Sequence, residues 1–323
     1  MGHPTYSYQQ YKLSAATGDW LRRGHFFSFR QLKIFYRDEG TGPCLLVVHG
    51  YPYSGFDFVE LLPELALHFR VVIPDMPGMG FSDKPKNHTY TFEEMADLYT
   101  AVVHEFKLGA VTILAHDLGN SVVQELLARD LENKNQFAIR RVAFLNGGLF
   151  ADVYRPRLLQ VLLSKSPPPV GRLISNMLTR QMVAKATAAV FGENTKPSLS
   201  LLKCFWEILN YNQGKSIAYQ LGRLIFEKEK YQQRWIAAMQ ETTIPLCFIN
   251  GPADPNSGMH MVERYRELIP NPETRLLSPA IGHWPQLEAP AETLAVFFSF
   301  LAACDDADAG NTAVAADVSN LPR

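Results

Sequence analysis

The sequence predicts an α/β protein with a doubly wound, mostly parallel sheet and an all-helical insertion. Three observations support this fold class. Short, continuously apolar runs are typical of strands buried on both faces. Segments with helical periodicity separate most of these runs, and strands that alternate with helices favour a parallel sheet. Between residues 150 and 243 the alternation stops, and only helical periodicity remains.

The predicted strands follow one another at regular intervals. They are LKIFY (32–36), LLVVHG (45–50), RVVIPD (70–75), VTILAH (111–116), RVAFLN (141–146) and PLCFIN (245–250). The segments FVELLPELALHF and FEEMADLYTAVVHEF, which follow the second and third runs, have the apolar spacing of amphipathic helices. We therefore assign residues 26–149 and 244–303 to one α/β core.

The insertion and the two ends of the chain have different compositions. Within residues 150–243, apolar positions recur at intervals of three and four in RLLQVLLSK, LLKCFWEILNY and SIAYQLGRLIFEKEKYQQRW. This spacing predicts a helical cap. Residues 1–25 are interpreted as an N-terminal extension. Residues 304–323 are polar and rich in alanine and glycine, so we expect a disordered tail.

Composition excludes several classes of partner. Lysine and arginine number 31 against 32 aspartates and glutamates, so no global field favours nucleic acid or an anionic membrane. The four cysteines have neither C-x-x-C nor Cys/His ligand spacing, which argues against a disulfide framework and a zinc site. We predict no metal, no cofactor and no obligate protein partner. Because no stretch resembles a signal peptide or a membrane span, we expect a cytoplasmic protein, with peripheral membrane association left open.

The stretch ILAHDLGNS (113–121) predicts a sharp turn between a strand and a helix. Small residues, Ala115 and Gly119, flank Asp117, as at a nucleophile elbow. Such a turn places the central side chain at the carboxyl edge of the sheet. There the free N–H groups of the next helix favour an anion. The alternative interpretation is that Asp117 only caps that helix.

Three further features place chemical groups beside this turn. The segment VVHGYPYSG follows a strand and could supply an oxyanion N–H from Tyr51, with Leu118 as the other donor. Asp254 ends the strand segment FINGPADP, and His283 follows 29 residues later in IGHWPQLEAP. Asp117, Asp254 and His283 thus occur in the chain order nucleophile, acid and histidine.

These motifs resemble the α/β-hydrolase superfamily, in particular its epoxide hydrolase and haloalkane dehalogenase branch. The shared patterns are H-G-x-P, the loop D-x-x-G-x-G-x-S-x-x-P (75–85) and the elbow H-D-x-G, within a resemblance that covers residues 26–302. The stretches HDLGNSVVQELL, NGGLFADVYRP, VFGENTKPS and PLCFINGPADP are most similar to proteins of the mesoderm-specific-transcript type. The resemblance implies a hydrolase with a helical cap.

An aspartate at the nucleophile position favours attack on carbon. With a reference pKa of about 3.9, Asp117 is ionised at neutral pH and needs no base for the first step. Its attack on a saturated carbon gives an alkyl-enzyme ester. His283, oriented by Asp254, then activates water to hydrolyse that ester. Attack on an ester substrate would instead give an anhydride, so we expect a small apolar electrophile and water as the reactants.

The leaving group distinguishes two enzyme hypotheses. Dehalogenases of this branch commonly have tryptophan after the nucleophile and often asparagine after His-Gly, where this chain has Leu118 and Tyr51. Epoxide hydrolases use tyrosines of the cap as proton donors. The family's usual tyrosine position falls near Leu224. Because alignments drift within helical caps, Tyr219 and Tyr211 are the candidate donors among the cap tyrosines Tyr154, Tyr211, Tyr219 and Tyr231, with packing as their alternative role.

Three more residues are candidates for the substrate pocket. His49 follows a strand, Trp284 follows the predicted base, and Trp206 lies in a cap helix, where core packing is its alternative role. Epoxide hydrolysis is the favoured function, with haloalkane dehalogenation as the first alternative. A non-enzymatic homologue that binds an apolar ligand beneath the cap is the second alternative, because the usual cap tyrosines are absent.

Overall fold

A computed structural model describes residues 12–319 of the chain, and the side chains of residues 12–307. It contains one eight-stranded sheet with the order β1-β2-β4-β3-β5-β6-β7-β8. The strands β1 and β2 pair antiparallel, as do β2 and β4, while the other neighbours are parallel. The predicted fold class is therefore confirmed.

The eight strands are β1 (His25–Phe29), β2 (Leu32–Glu39), β3 (Cys44–Val48), β4 (Arg70–Pro74), β5 (Val111–Ala115), β6 (Ile139–Phe144), β7 (Leu246–Asn250) and β8 (Thr274–Leu276). The six predicted runs correspond to β2 to β7. The two edge strands, β1 and β8, were not predicted. Both are short and partly exposed, so neither contains the continuous apolar run of a strand buried on both faces.

Burial on both faces explains why the central strands are apolar throughout. In β3, Leu45 and Val47 pack into one hydrophobic cluster, while Leu46 and Val48 pack into the other. All four side chains are fully buried. Successive side chains of a strand point to opposite faces, so a strand covered by helices on both sides needs an apolar residue at every position.

The helices of the core are α2 (Leu62–His68), α3 (Phe92–Glu105), α4 (Leu118–Leu131), α12 (Met259–Leu268), α13 (Pro285–Glu288) and α14 (Pro290–Ser319). The start of α3 is fixed by Thr91, whose hydroxyl accepts a hydrogen bond from the Glu94 N–H at 3.1 Å. A 3-10 turn also forms at Gly55–Phe58.

Seven helices form the cap between β6 and β7. They are α5 (Leu158–Lys165), α6 (Pro168–Met177), α7 (Arg180–Ala188), α8 (Leu199–Asn210), α9 (Ala218–Gly222), α10 (Leu224–Glu227) and α11 (Gln232–Glu241). Two 3-10 segments, Tyr211–Ile217 and Lys228–Tyr231, interrupt this series. The segment is helical, as its periodicity predicts.

At both ends of the chain the structure differs from the predicted N-terminal extension and disordered tail. At the N-terminal end, α1 (Ala15–Arg22) attaches to the cap, because the N–H and hydroxyl of Ser14 donate to Glu207 of α8 at 2.9 and 2.8 Å. Residues 1–11 lie outside the described residues. At the other end, α14 continues to Ser319, through most of the segment predicted to be disordered. Its alanines have the highest helix propensity of any residue, which accounts for the difference.

Candidate active site

Asp117 occupies a strained turn at the carboxyl end of β5. Its φ and ψ are 51° and −114°, which a non-glycine residue rarely adopts. Although Asp117 is the N-cap residue of α4, its side chain makes no capping hydrogen bond. This contradicts the alternative that Asp117 serves as a helix cap. The turn also needs Gly119, since a Cβ there would lie 2.3 Å from the Val48 carbonyl oxygen.

His283 and Asp254 meet in the interior, below this turn. The imidazole Nδ1 of His283 lies 2.7 Å from Oδ2 of Asp254, and both side chains are buried. Three further donors hold the Asp254 carboxylate: the Ser257 hydroxyl at 2.5 Å, the Asn256 backbone N–H at 2.8 Å and the Asn146 amide at 3.2 Å. These contacts fix the direction in which Asp254 orients the imidazole.

The electrostatics of this pair favour charge on both partners. Burial alone lowers the pKa of His283, but the charge and hydrogen bond of Asp254, together with the charge of Asp117, raise it to about 9. Burial acts in the opposite direction on Asp254. There, His283 and the hydrogen bonds from Ser257 and Asn256 bring the pKa of the carboxyl down to about 2.

The Asp117 carboxylate points toward this histidine. Its Oδ1 lies 3.6 Å from Nε2 of His283, and its Oδ2 accepts a hydrogen bond from the Tyr51 N–H at 3.1 Å. Gly50 permits this approach, since a Cβ there would lie 2.6 Å from that of Asp117. The structure thus brings together four predicted residues. Leu118, the other predicted oxyanion donor, is the first residue of α4, directly after Asp117.

A cavity of about 110 Å³ lies between the cap and this group of side chains. His283, Tyr51 and Trp284 line it from the core, and α5 and α7 line it from the cap. Most of its surface is apolar, and its polar lining from the cap and the Asp254 loop includes Arg157, Gln160, Thr187 and Asn256. A small apolar molecule with one polar end fits such a space.

Two of the predicted pocket residues lie elsewhere. The ring of His49 is fully buried behind the Tyr51 loop, where its Nδ1–H donates to the Gly50 carbonyl at 2.8 Å and its Nε2 accepts from the Met76 N–H at 2.9 Å. Burial lowers its pKa to about 4. Trp206, a residue of α8, is partly buried, and the Lys215 ammonium lies 5.6 Å from the centroid of its ring. Only Trp284 lines the cavity as predicted.

The structure does not bring the predicted proton donors, Tyr219 and Tyr211, to Asp117. The Tyr219 hydroxyl accepts a hydrogen bond from Gln220 at 3.1 Å beside a separate, polar pocket. The ring of Tyr211 packs edge-on against Phe81. Between Tyr219 and β7 the chain forms the short segments Ala218–Gly222, Leu224–Glu227 and Lys228–Tyr231, and the positive φ angles of Asn212 and Gln213 separate Tyr219 from Tyr211. Counting back along one regular helix therefore does not place these side chains.

Tyr154 and Lys228 reach the site from the cap and were not assigned to it by sequence reasoning. The Lys228 ammonium lies 4.0 Å from the centroid of the Tyr154 ring and donates to the Gly148 carbonyl at 2.9 Å. Burial lowers the pKa of Lys228 to about 8, against the opposing charge of Asp117. The position of Tyr154 in the segment that follows β6 is the one sequence signal that could have indicated it.

The Tyr154 hydroxyl is held in one orientation by two amides. It accepts hydrogen bonds from Gln160 at 3.3 Å and from Asn256 at 3.4 Å. Burial, followed by the charges of Asp117 and Asp254, raises the pKa of this phenol, so it stays protonated. Since both amides donate to the oxygen, neither of them accepts the hydroxyl hydrogen.

The described residues contain neither a cluster suited to a metal ion nor a helix suited to span a membrane. Among them, no three or more histidine, cysteine, aspartate or glutamate side chains are grouped to hold a metal ion. Over the same residues, no helix combines the length and the apolar character needed to traverse a bilayer.

Comparison with known proteins gives consistent matches. Residues 43–290 match the family described as alpha/beta hydrolase fold. The mesoderm-specific transcript homolog protein of Bos taurus is 35% identical over 303 residues, which cover 90% of this chain and 89% of that protein.

Two solved structures share the architecture. The epoxide hydrolase CorEH aligns with a TM-score of 0.69 and 21% identity, covering 86% of this chain and 98% of its own. A haloalkane dehalogenase DbeA variant from Bradyrhizobium elkanii aligns with a TM-score of 0.72 and 19% identity, covering 89% and 99%. At these identities, the likeness concerns the fold alone.

Proposed function

Because this chain belongs to the alpha/beta hydrolase fold family and is a hydrolase, we propose that it hydrolyses epoxides to diols through a covalent ester on Asp117. The observation that carries the proposal is the environment of the Asp117 carboxylate. One oxygen already lies in an oxyanion site and the other lies 3.6 Å from a histidine. A serine-type hydrolase has a neutral hydroxyl at this turn, whereas an ionised carboxylate is itself a nucleophile.

In the first step, Oδ1 of Asp117 attacks an epoxide carbon and the carbon–oxygen bond of the ring breaks. The oxygen that leaves takes a proton from the Tyr154 hydroxyl, whose oxygen is held by the amides of Gln160 and Asn256. The products are an alkyl ester of Asp117 and a Tyr154 phenolate. The Lys228 ammonium, 4.0 Å from the ring centroid, would stabilise this phenolate.

In the second step, His283 removes a proton from water, and the hydroxide attacks the ester carbonyl. Oδ2 becomes the oxyanion and is held by the N–H groups of Tyr51 and Leu118, each worth roughly 3 to 4 kcal/mol in comparable sites. Collapse of this intermediate releases the diol and regenerates the Asp117 carboxylate. The proton on His283 then returns to the Tyr154 phenolate, so the net reaction is epoxide plus water to diol.

Epoxide opening accounts for the cavity better than dehalogenation does. A departing halide is stabilised by N–H donors inside a dry pocket, and the indole N–H of Trp284 is instead directed at Asp57, 3.4 Å away. Leu118, directly after the nucleophile, has no side-chain N–H to offer. By contrast, Tyr154 offers an acidic hydrogen, which an alkoxide needs and a halide does not.

The proposal is tested by trapping the ester. His283→Gln should form the ester and fail to hydrolyse it, because glutamine cannot act as the base. After incubation with styrene oxide and related epoxides, mass spectrometry should find one substrate mass added to the peptide that contains Asp117. His104→Gln, a change at an exposed histidine of α3, is the matched control and should turn over without accumulating adduct.

The double variant Asp117→Asn/His283→Gln distinguishes active-site esterification from adventitious alkylation. It should carry no adduct. The proposal fails if a panel of epoxides yields neither diol with the wild-type protein nor adduct with His283→Gln. Halide release from haloalkanes under the same conditions would support dehalogenation instead, and inactivity toward both classes would support a ligand-binding role.

A further inference from the structure

The outer surface of helices α5 to α7 is unusually apolar. Six of the ten most exposed large apolar side chains among residues 12–307 belong to these three helices, and Leu158 is 74% exposed. The six are Leu158, Leu162, Val170, Leu173, Met177 and Met182. Their spacing is helical, with positions 158 and 162 on α5 and positions 170, 173 and 177 on α6. We call these side chains and the basic residues among them the cap face.

The same segment is strongly basic. Residues 153–192 contain six lysines and arginines and no aspartate or glutamate. All six are exposed: Arg155, Arg157, Lys165, Arg172, Arg180 and Lys185. None of them has an ion-pair partner among the described residues. The segment carries +6 in a chain of net charge −1, so the remaining residues carry −7.

From this combination we infer that the cap face binds the surface of an anionic phospholipid bilayer. Exposed apolar side chains on amphipathic helices enter the boundary between headgroups and acyl chains, while lysines and arginines beside them contact anionic headgroups. The binding is interfacial and needs no spanning helix. The excess of positive charge on the cap face, against a net negative charge on the remaining chain, favours contact of this face with an anionic surface.

Charge complementarity also decides between a bilayer and a second copy of the chain. Two copies that met through the cap face would bring one group of six cations against another. Like charges placed together at an interface oppose association. An anionic bilayer satisfies the same cations and covers the same apolar side chains.

The position of the cap face gives the inference a functional consequence. Leu159 and Leu163 of α5 line the cavity, while their neighbours Leu158 and Leu162 point outward. In the same way, Val183 of α7 lines the cavity beside the exposed Met182. A bilayer bound to the cap face would therefore lie one helix away from His283. An apolar substrate dissolved in that bilayer would have a short path to the cavity.

Vesicle sedimentation with the full chain tests the inference directly. The protein should sediment with vesicles of phosphatidylcholine and phosphatidylserine, remain largely unbound with phosphatidylcholine alone, and dissociate as salt is added. Arg172→Gln/Arg180→Gln should weaken partitioning about 25-fold, since one basic residue at an anionic surface contributes about fivefold. Leu173→Ser/Met177→Ser should weaken it by about tenfold or more.

The matched controls alter residues outside the cap face. Leu67→Ser removes an apolar side chain of α2 that is 73% exposed, and Arg140→Gln neutralises an exposed arginine of β6. Each should change partitioning less than about twofold. Circular dichroism of every variant verifies that its fold is intact.

Two results would overturn the inference. One is equal sedimentation with neutral and anionic vesicles, or none with either. The other is a dimer in light scattering that Leu173→Ser/Met177→Ser dissociates, which would assign the cap face to a second copy. Because sedimentation requires no turnover, a protein that binds anionic vesicles and hydrolyses no epoxide would leave this inference intact and contradict only the proposed reaction.

Discussion

Replacing Asp254 by asparagine should convert His283 from a charged to a neutral residue at neutral pH. The increase in the pKa of His283 from 6.5 to about 9 corresponds to roughly 3 kcal/mol in favour of the imidazolium. Burial of His283 opposes this increase, so the anionic neighbours must contribute still more. In Asp254→Asn the largest cause of the increase is removed, while Asp117, at 3.6 Å, and Glu288 remain, and we expect the pKa to fall toward its ordinary value of 6.5.

The same shift makes the folding stability depend on pH. A folded-state pKa raised above the unfolded value stabilises the protein fully below pH 6.5, and this contribution is lost as the pH rises through about 9. The wild-type protein should therefore lose roughly 3 kcal/mol of this contribution across that window. The difference in unfolding free energy between the wild-type protein and Asp254→Asn should shrink by a similar amount from pH 6.5 to pH 9.

Two measurements on the full chain check this expectation. Titration of isotope-labelled histidines by NMR gives the pKa of His283, and urea unfolding at pH 6.5 and pH 9 gives the stabilities. Asp57→Asn is the matched control, because it changes another buried aspartate, one that is hydrogen-bonded to the Trp284 indole and not to His283. If His283 still titrates near pH 9 in Asp254→Asn, its charge does not depend on Asp254 and our electrostatic account is wrong.

Two further predictions concern the cap. Tyr154→Phe should slow epoxide opening by about 100-fold, which is the usual contribution of a general acid. Tyr219→Phe and Tyr211→Phe should change the initial rate less than about twofold. A slow Tyr219 or Tyr211 variant together with a fast Tyr154→Phe variant would contradict the assignment. Lys228→Met should lower the rate of diol formation by about tenfold or more without lowering the midpoint of thermal unfolding. The midpoint should hold because replacing a poorly compensated buried charge by an apolar side chain of similar size is often neutral or stabilising. A large fall in the midpoint would show that the lysine stabilises the fold.

The sequence predicts those parts of the site that depend on local patterns. Asp117 and Asp254 each follow a strand that a short apolar run identifies, whereas His283 follows the unpredicted strand β8 and is indicated by its own motif. Parallel strands place their carboxyl ends at one edge of a sheet, so residues at these ends come together whatever the details of packing. The motif at each position then indicates its chemistry. This is why the structure brings these three residues together as predicted.

The cap residues could not be placed in the same way. Their positions depend on how short helices of irregular register pack over the sheet. The left-handed residues Asn212 and Gln213 and the short helices α9 and α10 change the direction of successive side chains. The contact between Lys228 and Tyr154 joins opposite ends of the cap, 74 positions apart in the chain. Periodicity within one segment contains no information about such a contact.

The charges around the proposed ester give an order to the two chemical steps. In the free protein, the Asp117 carboxylate raises the pKa values of both His283 and Lys228. Esterification of Asp117 removes that negative charge, so the pKa of His283 falls and the imidazole loses its proton more readily. Ester formation therefore makes His283 a more available base at the step that requires one. Asp254, with three further donors on its carboxylate, keeps the imidazole oriented through both steps.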